Sequence, residues 1–160
     1  MTLVNAMSRE FTLRTYLEDI KKGYDYVLID CMPSLGMITI NALAASDSVI
    51  IPVQAHYLPA KGMTQLMKTI GKVRKQINPQ LKVEGILLTL ADMRTNLART
   101  TADTLRQEYG SVLRIFKTEI PVGVKAAETT AAGKSIFAYD KNSKVDSSGE
   151  RNKAQPSLSR

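Results

Sequence analysis

Short apolar runs alternate with longer stretches of helical spacing along the 160-residue chain. The runs are bounded by turn residues, as buried strands are, and they predict strands at 24–30, 48–53, 83–90 and 112–117. At 8–22 and 59–77 apolar residues recur every three to four positions, which predicts helices there. Further helices are expected at 37–45, 96–109 and near 122–132. Alternation of this kind is typical of parallel strands joined by right-handed helical crossovers. The sequence therefore predicts an α/β fold with a doubly wound, mostly parallel sheet flanked by helices.

Residues with capping chemistry stand at the ends of the predicted helices. Ser8 and Asn96 are placed to be N-caps, and Gly110 follows the helix at 96–109. The Asn78-Pro79 pair ends the helix at 59–77, because the residue before a proline disfavours helical backbone angles. These signals set the expected helix boundaries.

Composition excludes several classes of protein. No run approaches the roughly 18 apolar residues of a membrane span, and the N-terminus lacks the pattern of a signal peptide. The single cysteine cannot form an internal disulfide, and one cysteine with one histidine cannot make the usual four-ligand zinc site. We therefore expect a cytoplasmic domain without membrane contact.

The chain carries 22 basic and 15 acidic residues, a net charge of +7, which favours polyanionic partners. Residues 141–160 hold five basic residues and few apolar ones, too few to offset the entropy of ordering them. The expected organisation is one α/β domain over 1–140 and a disordered basic tail over 141–160.

In open parallel sheets, ligands bind where the strands end. Asp30 closes the first predicted strand, where a carboxylate can hold hydrated Mg²⁺ beside nucleotide phosphates or simply cap the next turn. The loop that follows combines Pro33 with Gly36, which suits either a segment that follows a phosphate group or an ordinary connection. We expect Cys31 to be a small buried filler rather than a nucleophile, because no base or helix N-terminus is evident near it in the sequence.

Five segments together resemble the ParA/Soj/MinD family of deviant Walker P-loop ATPases, particularly ParA-type partition proteins. They are YDYVLIDCMPSLG (24–36), NALAASDSVIIPVQ (41–54), KGMTQLMKTI (61–70), LLTLADMRTNLA (87–98) and IPVGVKAAETTAAGKSIFAYD (120–140). They follow the family's order and spacing from about residue 3 to residue 140. The resemblance implies the P-loop NTPase fold, incomplete at its N-terminus.

The chain also departs from the family pattern. The family's glycine-rich phosphate-binding loop is absent from these 160 residues, Met32 replaces the usual proline, and residues 145–160 lack the family's amphipathic helix. The chain thus resembles the C-terminal portion of a ParA-like protein. In the family the strand that carries the phosphate-binding loop lies beside the strand that ends in Asp30, so we expect marginal stability and an exposed sheet edge.

The resemblance implies roles for seven residues. Asp30 matches the aspartate that positions Mg²⁺ through water, and Pro33 and Gly36 match the switch loop. Asp92 and Pro121 match the nucleotide-binding, adenine-side loops. Arg94 and Lys125 match positions that contact non-specific DNA, with solvated loop charges as the alternative.

By resemblance, the function is that of a partition ATPase for plasmids or chromosomes, with ATP and Mg²⁺ as cofactors. The implied partners are non-specific DNA, a centromere-binding ParB-like protein and a second copy of the chain, and the implied location is the cytoplasm, including the nucleoid. Because the phosphate-binding loop is missing, we assign no catalytic residue and expect no hydrolysis by this chain alone. The alternative is a non-catalytic DNA-binding or interaction module derived from the family. An unrelated small-molecule enzyme finds no supporting group of residues.

Overall fold

The computed structural model describes residues 8–32, 34, 36–55, 60–123, 128, 129 and 131–139. Its main elements are α1 (Thr12–Ile20), α2 (Met37–Ala45), β1 (Ser48–Gln54), α3 (Ala60–Gln76), β2 (Lys82–Thr89) and α4 (Asn96–Tyr109). Short 3-10 turns at Arg9–Phe11 and Lys21–Gly23 flank α1, and a last helical turn covers Ile136–Tyr139. The helices predicted at 8–22, 37–45, 59–77 and 96–109 are confirmed. The tail at 141–160 lies outside the described residues, as do residues 124–127 and 130 of the stretch near 122–132. In that stretch Glu128, Thr129, Ala131 and Ala132 are helical.

The chain divides into two compact units. The first contains Met1–Val49 and Pro59–Val83, and the second contains Ile50–Leu58 and Glu84–Arg160. The first unit thus carries α1, α2 and α3, and the second carries α4 together with most of both strands.

Strands β1 and β2 are hydrogen-bonded neighbours that run in the same direction. The amide of Lys82 donates to the carbonyl of Asp47 at 3.0 Å where the strands begin. The amide of Ala55 donates to the carbonyl of Thr89, also at 3.0 Å, where they end. Because α3 lies between them in the chain, this pair is a β-α-β crossover of the predicted kind. The α/β fold class with a parallel sheet is confirmed.

The strand predicted at 112–117 forms only in part. An isolated parallel bridge joins Ile86 to Ile115, and a second joins Ala91 to Pro121. The backbone comes very close at Gly85, whose φ is 145°, and a Cβ on that residue would overlap the carbonyl oxygen of Arg114. A glycine is therefore required at position 85 for the backbone of residues 112–117 to approach β2.

Residues 24–30, which we call the open segment, contradict the prediction of a buried strand. They have no regular secondary structure, and Tyr26 and Leu28 are 86% and 93% exposed. Within the described part of the chain, no backbone hydrogen bond joins this segment to a neighbouring strand. An apolar, β-prone run becomes a strand only when a partner strand satisfies its backbone groups, and none of the described residues supplies one.

Helices α1 and α2 pack against each other in the first unit, and Asn41 joins them. Its side chain is buried, donates to the carbonyls of Arg9 (2.8 Å) and Met37 (3.0 Å), and accepts from the amide of Leu13 (3.1 Å). The Leu13 amide lies in the first turn of α1, where amides lack partners within the helix. Asn41 therefore caps α1 from a neighbouring helix.

In the second unit, α4 buries one face and exposes the other. Ala98, Ala102 and Leu105 are buried at helical spacing, while the intervening Arg99 and Asp103 are exposed. The buried side chains are mainly small and branched aliphatic ones, as the low aromatic content leads one to expect.

None of the helices in the described residues has the length and hydropathy of a membrane span.

Candidate functional site

The carboxyl end of β2 leads into a constrained turn that carries two of the predicted site residues. Leu90, directly after the strand, has a positive φ of 49°, a conformation that non-glycine residues adopt at a cost. Ala91 then bridges to Pro121, and its amide donates to the carbonyl of Ile120 at 3.0 Å. Asp92 therefore directly follows a residue that is paired with Pro121.

Asp92 and Arg94 form a two-pronged ion pair within this turn. The Nε of Arg94 donates to Oδ1 of Asp92 and Nη2 donates to Oδ2, both at 2.8 Å. The amide of Arg94 also donates to Oδ1 at 3.2 Å, so a single carboxylate orders both the backbone and the guanidinium. Hydrogen bonds and charge from Asp92 raise the pKa of Arg94 above its ordinary value.

This pair lies at the surface. The Arg94 side chain is 90% exposed and that of Asp92 is 28% exposed. The pairing uses two of the five guanidinium N–H groups, so the others remain for an anion. The turn thus presents an oriented positive group to solvent, although its own carboxylate reduces the net charge.

Thr95 and Arg99 connect the turn to α4, the helix that follows it. The Thr95 hydroxyl donates to the carbonyl of Asp92 at 2.8 Å and accepts from the amide of Ala98 at 3.3 Å, which makes Thr95 the N-cap of α4. The predicted cap, Asn96, is instead the first residue of the helix. The Nε of Arg99 donates to the carbonyl of Met93 at 2.7 Å. Each end of the turn is therefore fixed to the helix that follows.

Asp30 and Gly36 belong to the first unit. Asp30 is exposed at the end of the open segment. Gly36 is the N-cap of α2, and its carbonyl accepts from the amide of Ile40 at 3.1 Å. Thr39, in the first turn of α2, donates from its hydroxyl to the carbonyl of Ser34 and so attaches the preceding loop to the helix.

Two predicted site residues, Pro33 and Lys125, lie outside the described residues. Cys31 is a free thiol that is only half-buried, so the burial expected of it is met in part. Within the described part of the chain, no three His, Cys, Asp or Glu side chains gather as a metal site. Among these residues, Asp30 is therefore not part of a cluster of three or more such side chains. Mg²⁺ commonly accepts one carboxylate when water and phosphate supply its other ligands, so Asp30 fits such an ion.

The described residues fit a nucleotide's triphosphate less well than they fit the metal ion. A triphosphate needs a cradle of backbone amides, which P-loop proteins build from a glycine-rich loop followed by Lys and Ser or Thr. No such loop occurs in the 160 residues. No hydrolytic step can therefore be derived from these side chains.

The comparison with protein families matches residues 1–83, just over half of the chain, to the family described as AAA domain. The chain is 45% identical over 142 residues to the sporulation initiation inhibitor protein Soj of Bacillus subtilis, covering 89% of the chain and 55% of Soj. It is also 45% identical over 142 residues to the chromosome partitioning protein ParA of Myxococcus xanthus, covering 89% of the chain and 50% of that ParA.

The chain belongs to the ParA/Soj family. It spans about half the length of the curated relatives it matches. Among solved structures, cobyrinic acid a,c-diamide synthase of Mycobacterium smegmatis with bound ADP and magnesium matches with a TM-score of 0.69 and 37% identity. That match covers 74% of this chain and 48% of the synthase. The P-loop NTPase fold expected for a ParA/Soj member is thereby confirmed.

Sequence reasoning missed two buried asparagines of this ParA/Soj chain. The sequence assigns no role to Asn41, and it indicates Asn78 only as the end of a helix. Asn78 donates from its side-chain amide to the carbonyls of Leu43, Ala44 and Ser46. Both asparagines satisfy helix ends that are distant in sequence. The only available signal was an amide side chain inside or beside an apolar stretch.

Proposed function

We propose that this chain acts in DNA partition, binding DNA without sequence preference and working with a centromere-binding partner. The observation that carries the proposal is the 45% identity to the Soj protein and to the ParA chromosome partitioning protein over 142 residues. The matched region includes the turn in which Asp92 orients Arg94.

Of the two proposed DNA contacts, Arg94 is the one whose surroundings the structure describes. Its guanidinium is exposed, it is held at a fixed angle by Asp92, and it keeps N–H groups that can donate to a phosphate oxygen. Lys125 is proposed as a second contact on its match to the family pattern alone. The net charge of +7 adds a non-specific attraction to the phosphate backbone.

Asp30 is proposed to hold Mg²⁺ through water. When bound, Mg²⁺ would neutralise phosphate charge of the nucleotide. Asp92 and Pro121 are proposed to border the adenine, because the Ala91–Pro121 bridge brings their two loops together. Gly36 and Pro33 are proposed to respond to the terminal phosphate. The M. smegmatis synthase structure with ADP and magnesium supports this class of cofactor.

The second candidate is a DNA-binding or interaction module without hydrolysis. It is favoured by the absence of a glycine-rich phosphate loop from the 160 residues. Catalysis in this class depends on positioning and electrostatics, so an aspartate without its phosphate cradle has little to act on. We propose that the chain alone binds DNA and does not hydrolyse ATP.

One preparation tests both candidates. ATP turnover is measured with Mg²⁺, with and without a DNA duplex, beside DNA binding by fluorescence anisotropy. We expect DNA binding and no turnover above background. Turnover that disappears in Asp30→Ala would favour the complete ATPase function. The absence of DNA binding at low salt would contradict the DNA-binding role in both candidates.

A further inference from the structure

Helix α3 separates its apolar and its basic side chains onto opposite faces. Met63, Ile70 and Val73 are buried. The exposed face carries three lysines, which we call the lysine row: Lys68, Lys72 and Lys75. At about 100° of rotation per residue, the positions of the row lie within about 60° of one another, on the side of the helix opposite the buried residues. The row is therefore a continuous basic stripe along α3.

The charge of this stripe is not compensated along the chain. No acidic residue occurs in the sequence between Asp47 and Glu84. Helix α3 therefore carries five basic residues and no carboxylate. In the part of the chain that the structure describes, none of the ion pairs involves the lysine row. Lysines three or four positions apart on a helix repel each other, so the row keeps an unrelieved positive charge.

Basic side chains near α1 and on α4 are arranged differently. The Nζ atom of Lys22 lies 2.8 Å from Oδ1 of Asp19, and Nη1 of Arg106 lies 3.2 Å from Oδ1 of Asp103. In each case the partner is three residues away, the spacing at which opposite charges meet on a helical surface. Helix α3 has no such partner of its own, and an anion lying along the row would relieve the repulsion between its lysines.

The dimensions and chemistry of the row suit a phosphate backbone. The row extends over about 10 Å of helix axis, a length over which duplex DNA carries about six phosphate charges. Lysine acts on phosphate as a point charge, without the fixed geometry of an arginine fork. Contacts of this kind position a protein on DNA and do not read its sequence. The row is thus suited to binding without sequence preference.

The surface around the row is poor in apolar anchors. In the described residues, no large apolar side chain of α3 is exposed. Gln65 and Gly71, which border the row, are exposed. Protein interfaces are depleted in lysine and enriched in aromatic residues, and helices that lie in a membrane surface insert apolar side chains. These features favour a nucleic acid over a protein or a membrane.

We propose that the lysine row is a second contact for the phosphate backbone of DNA, separate from the turn that carries Arg94. Helix α3 belongs to the first compact unit, and the turn belongs to the second. The inference rests on the proposed function, because it assumes that the chain binds DNA. It adds a surface to which neither Arg94 nor Lys125 belongs.

Fluorescence anisotropy with a labelled duplex compares the wild type with the row variant, Lys68→Gln/Lys72→Gln/Lys75→Gln. Each phosphate contact contributes about 0.9 to the slope of log K against log salt, so the slope should fall by about 2–3 and the affinity at low salt by at least about tenfold. The row variant should remain folded, with a urea midpoint equal to or above that of the wild type, because it loses like-charge repulsion.

The matched control variant is Arg14→Gln/Arg74→Gln/Lys82→Gln. It removes the same charge from exposed positions outside the row. Arg74 is on the same helix, but it lies about 100° or more around the axis from every lysine of the row. Because only net charge changes, the slope should fall by less than about 1.

The outcomes separate this proposal from the proposed function. If the wild type binds DNA and the row variant binds as the wild type does, or if both variants lose the same affinity, the lysine row is not a contact and the proposed function stands. If the wild type does not bind DNA at low salt, the DNA-binding role in the proposed function fails together with the row.

Acetylation of the wild-type lysines, followed by mass spectrometry, locates the contact without any substitution. The duplex should slow the acetylation of the lysine row and leave that of exposed Lys82 unchanged. Equal protection of Lys82, or no protection of the row, would overturn the proposal. Cosedimentation with phosphatidylserine vesicles tests a lipid surface. Vesicle binding that depends on the row, together with DNA binding that does not, would overturn the proposal in favour of a membrane.

Discussion

The side-chain amide of Asn78 donates to the backbone carbonyl of Ser46 at 2.8 Å, just after the last residue of α2. The same amide reaches Leu43 at 3.0 Å, so one side chain satisfies carbonyls at the C-terminal end of a helix that is over thirty residues away in sequence. The last four carbonyls of a helix lack partners within it, and here a buried asparagine donates to two of them, those of Leu43 and Ala44, and to the carbonyl of the C-cap residue Ser46.

Replacing Asn78 should therefore destabilise the chain. Asn78→Ala leaves buried carbonyls without a donor, which costs about 1–3 kcal/mol in the free energy of unfolding. Asn78→Asp should cost at least as much, because a carboxylate would face carbonyl oxygens. Urea denaturation measures both, with exposed Gln80→Ala as the control, expected within about 0.5 kcal/mol of the wild type. An unchanged midpoint for Asn78→Ala would show that the capping contributes nothing.

Gly85 should resist substitution for a different reason. Its φ of 145° and its closeness to the Arg114 carbonyl leave no room for a Cβ, so Gly85→Ala should lower the free energy of unfolding by about 1–3 kcal/mol. Gly71→Ala is a control that should change the free energy of unfolding in the opposite direction. It lies in α3 with open space around it, and alanine there should stabilise the chain by about 0.5–1 kcal/mol. Thermal unfolding of the two variants should move in opposite directions, and equal shifts would contradict this account of Gly85.

Asp92 should weaken DNA binding in the wild type, because its carboxylate competes with phosphate for the Arg94 guanidinium. Asp92→Asn should tighten binding by up to about fivefold, since an exposed ion pair contributes at most about 1 kcal/mol. Asp103→Asn is the matched control, because it adds the same charge on the exposed face of α4. Fluorescence anisotropy with one duplex compares the two. If both variants bind DNA more tightly to the same extent, the effect comes from net charge alone. If Asp92→Asn binds DNA more weakly than the wild type, Asp92 supports DNA binding rather than competing with phosphate.

The basic tail provides a further test of the electrostatic account. Residues 141–160 carry a net charge of +3 in the sequence, five basic against two acidic residues. Their removal should weaken DNA binding and make it less dependent on salt concentration. If the truncated chain binds DNA as tightly as the whole chain, residues 1–140 account for the affinity for DNA.

Most of the fold could be predicted from the sequence, because local patterns determine helices. Helices α2 and α4 have the bounds that the sequence predicted, and Gly110 directly follows α4. The open segment was predicted wrongly, because its composition is that of a strand while a strand also depends on partners that local sequence does not reveal. The ion pair between Asp92 and Arg94 joins two residues that the family pattern had assigned to nucleotide and DNA separately. The roles of Asn41 and Asn78 depend on carbonyls and amides of distant residues, and no spacing rule indicates them.

The salt dependence of DNA binding tests the central claim most directly. Two duplexes of unrelated sequence are titrated with the wild-type chain and with Arg94→Ala at several salt concentrations, with Arg74→Ala, an exposed arginine of α3, as the control. We predict equal affinity for both duplexes, a steep loss of affinity with salt, and a slope of log K against log salt that is smaller by about 1 in Arg94→Ala. The control should change the slope less. Preference for one duplex, or binding that persists at high salt, would contradict the account.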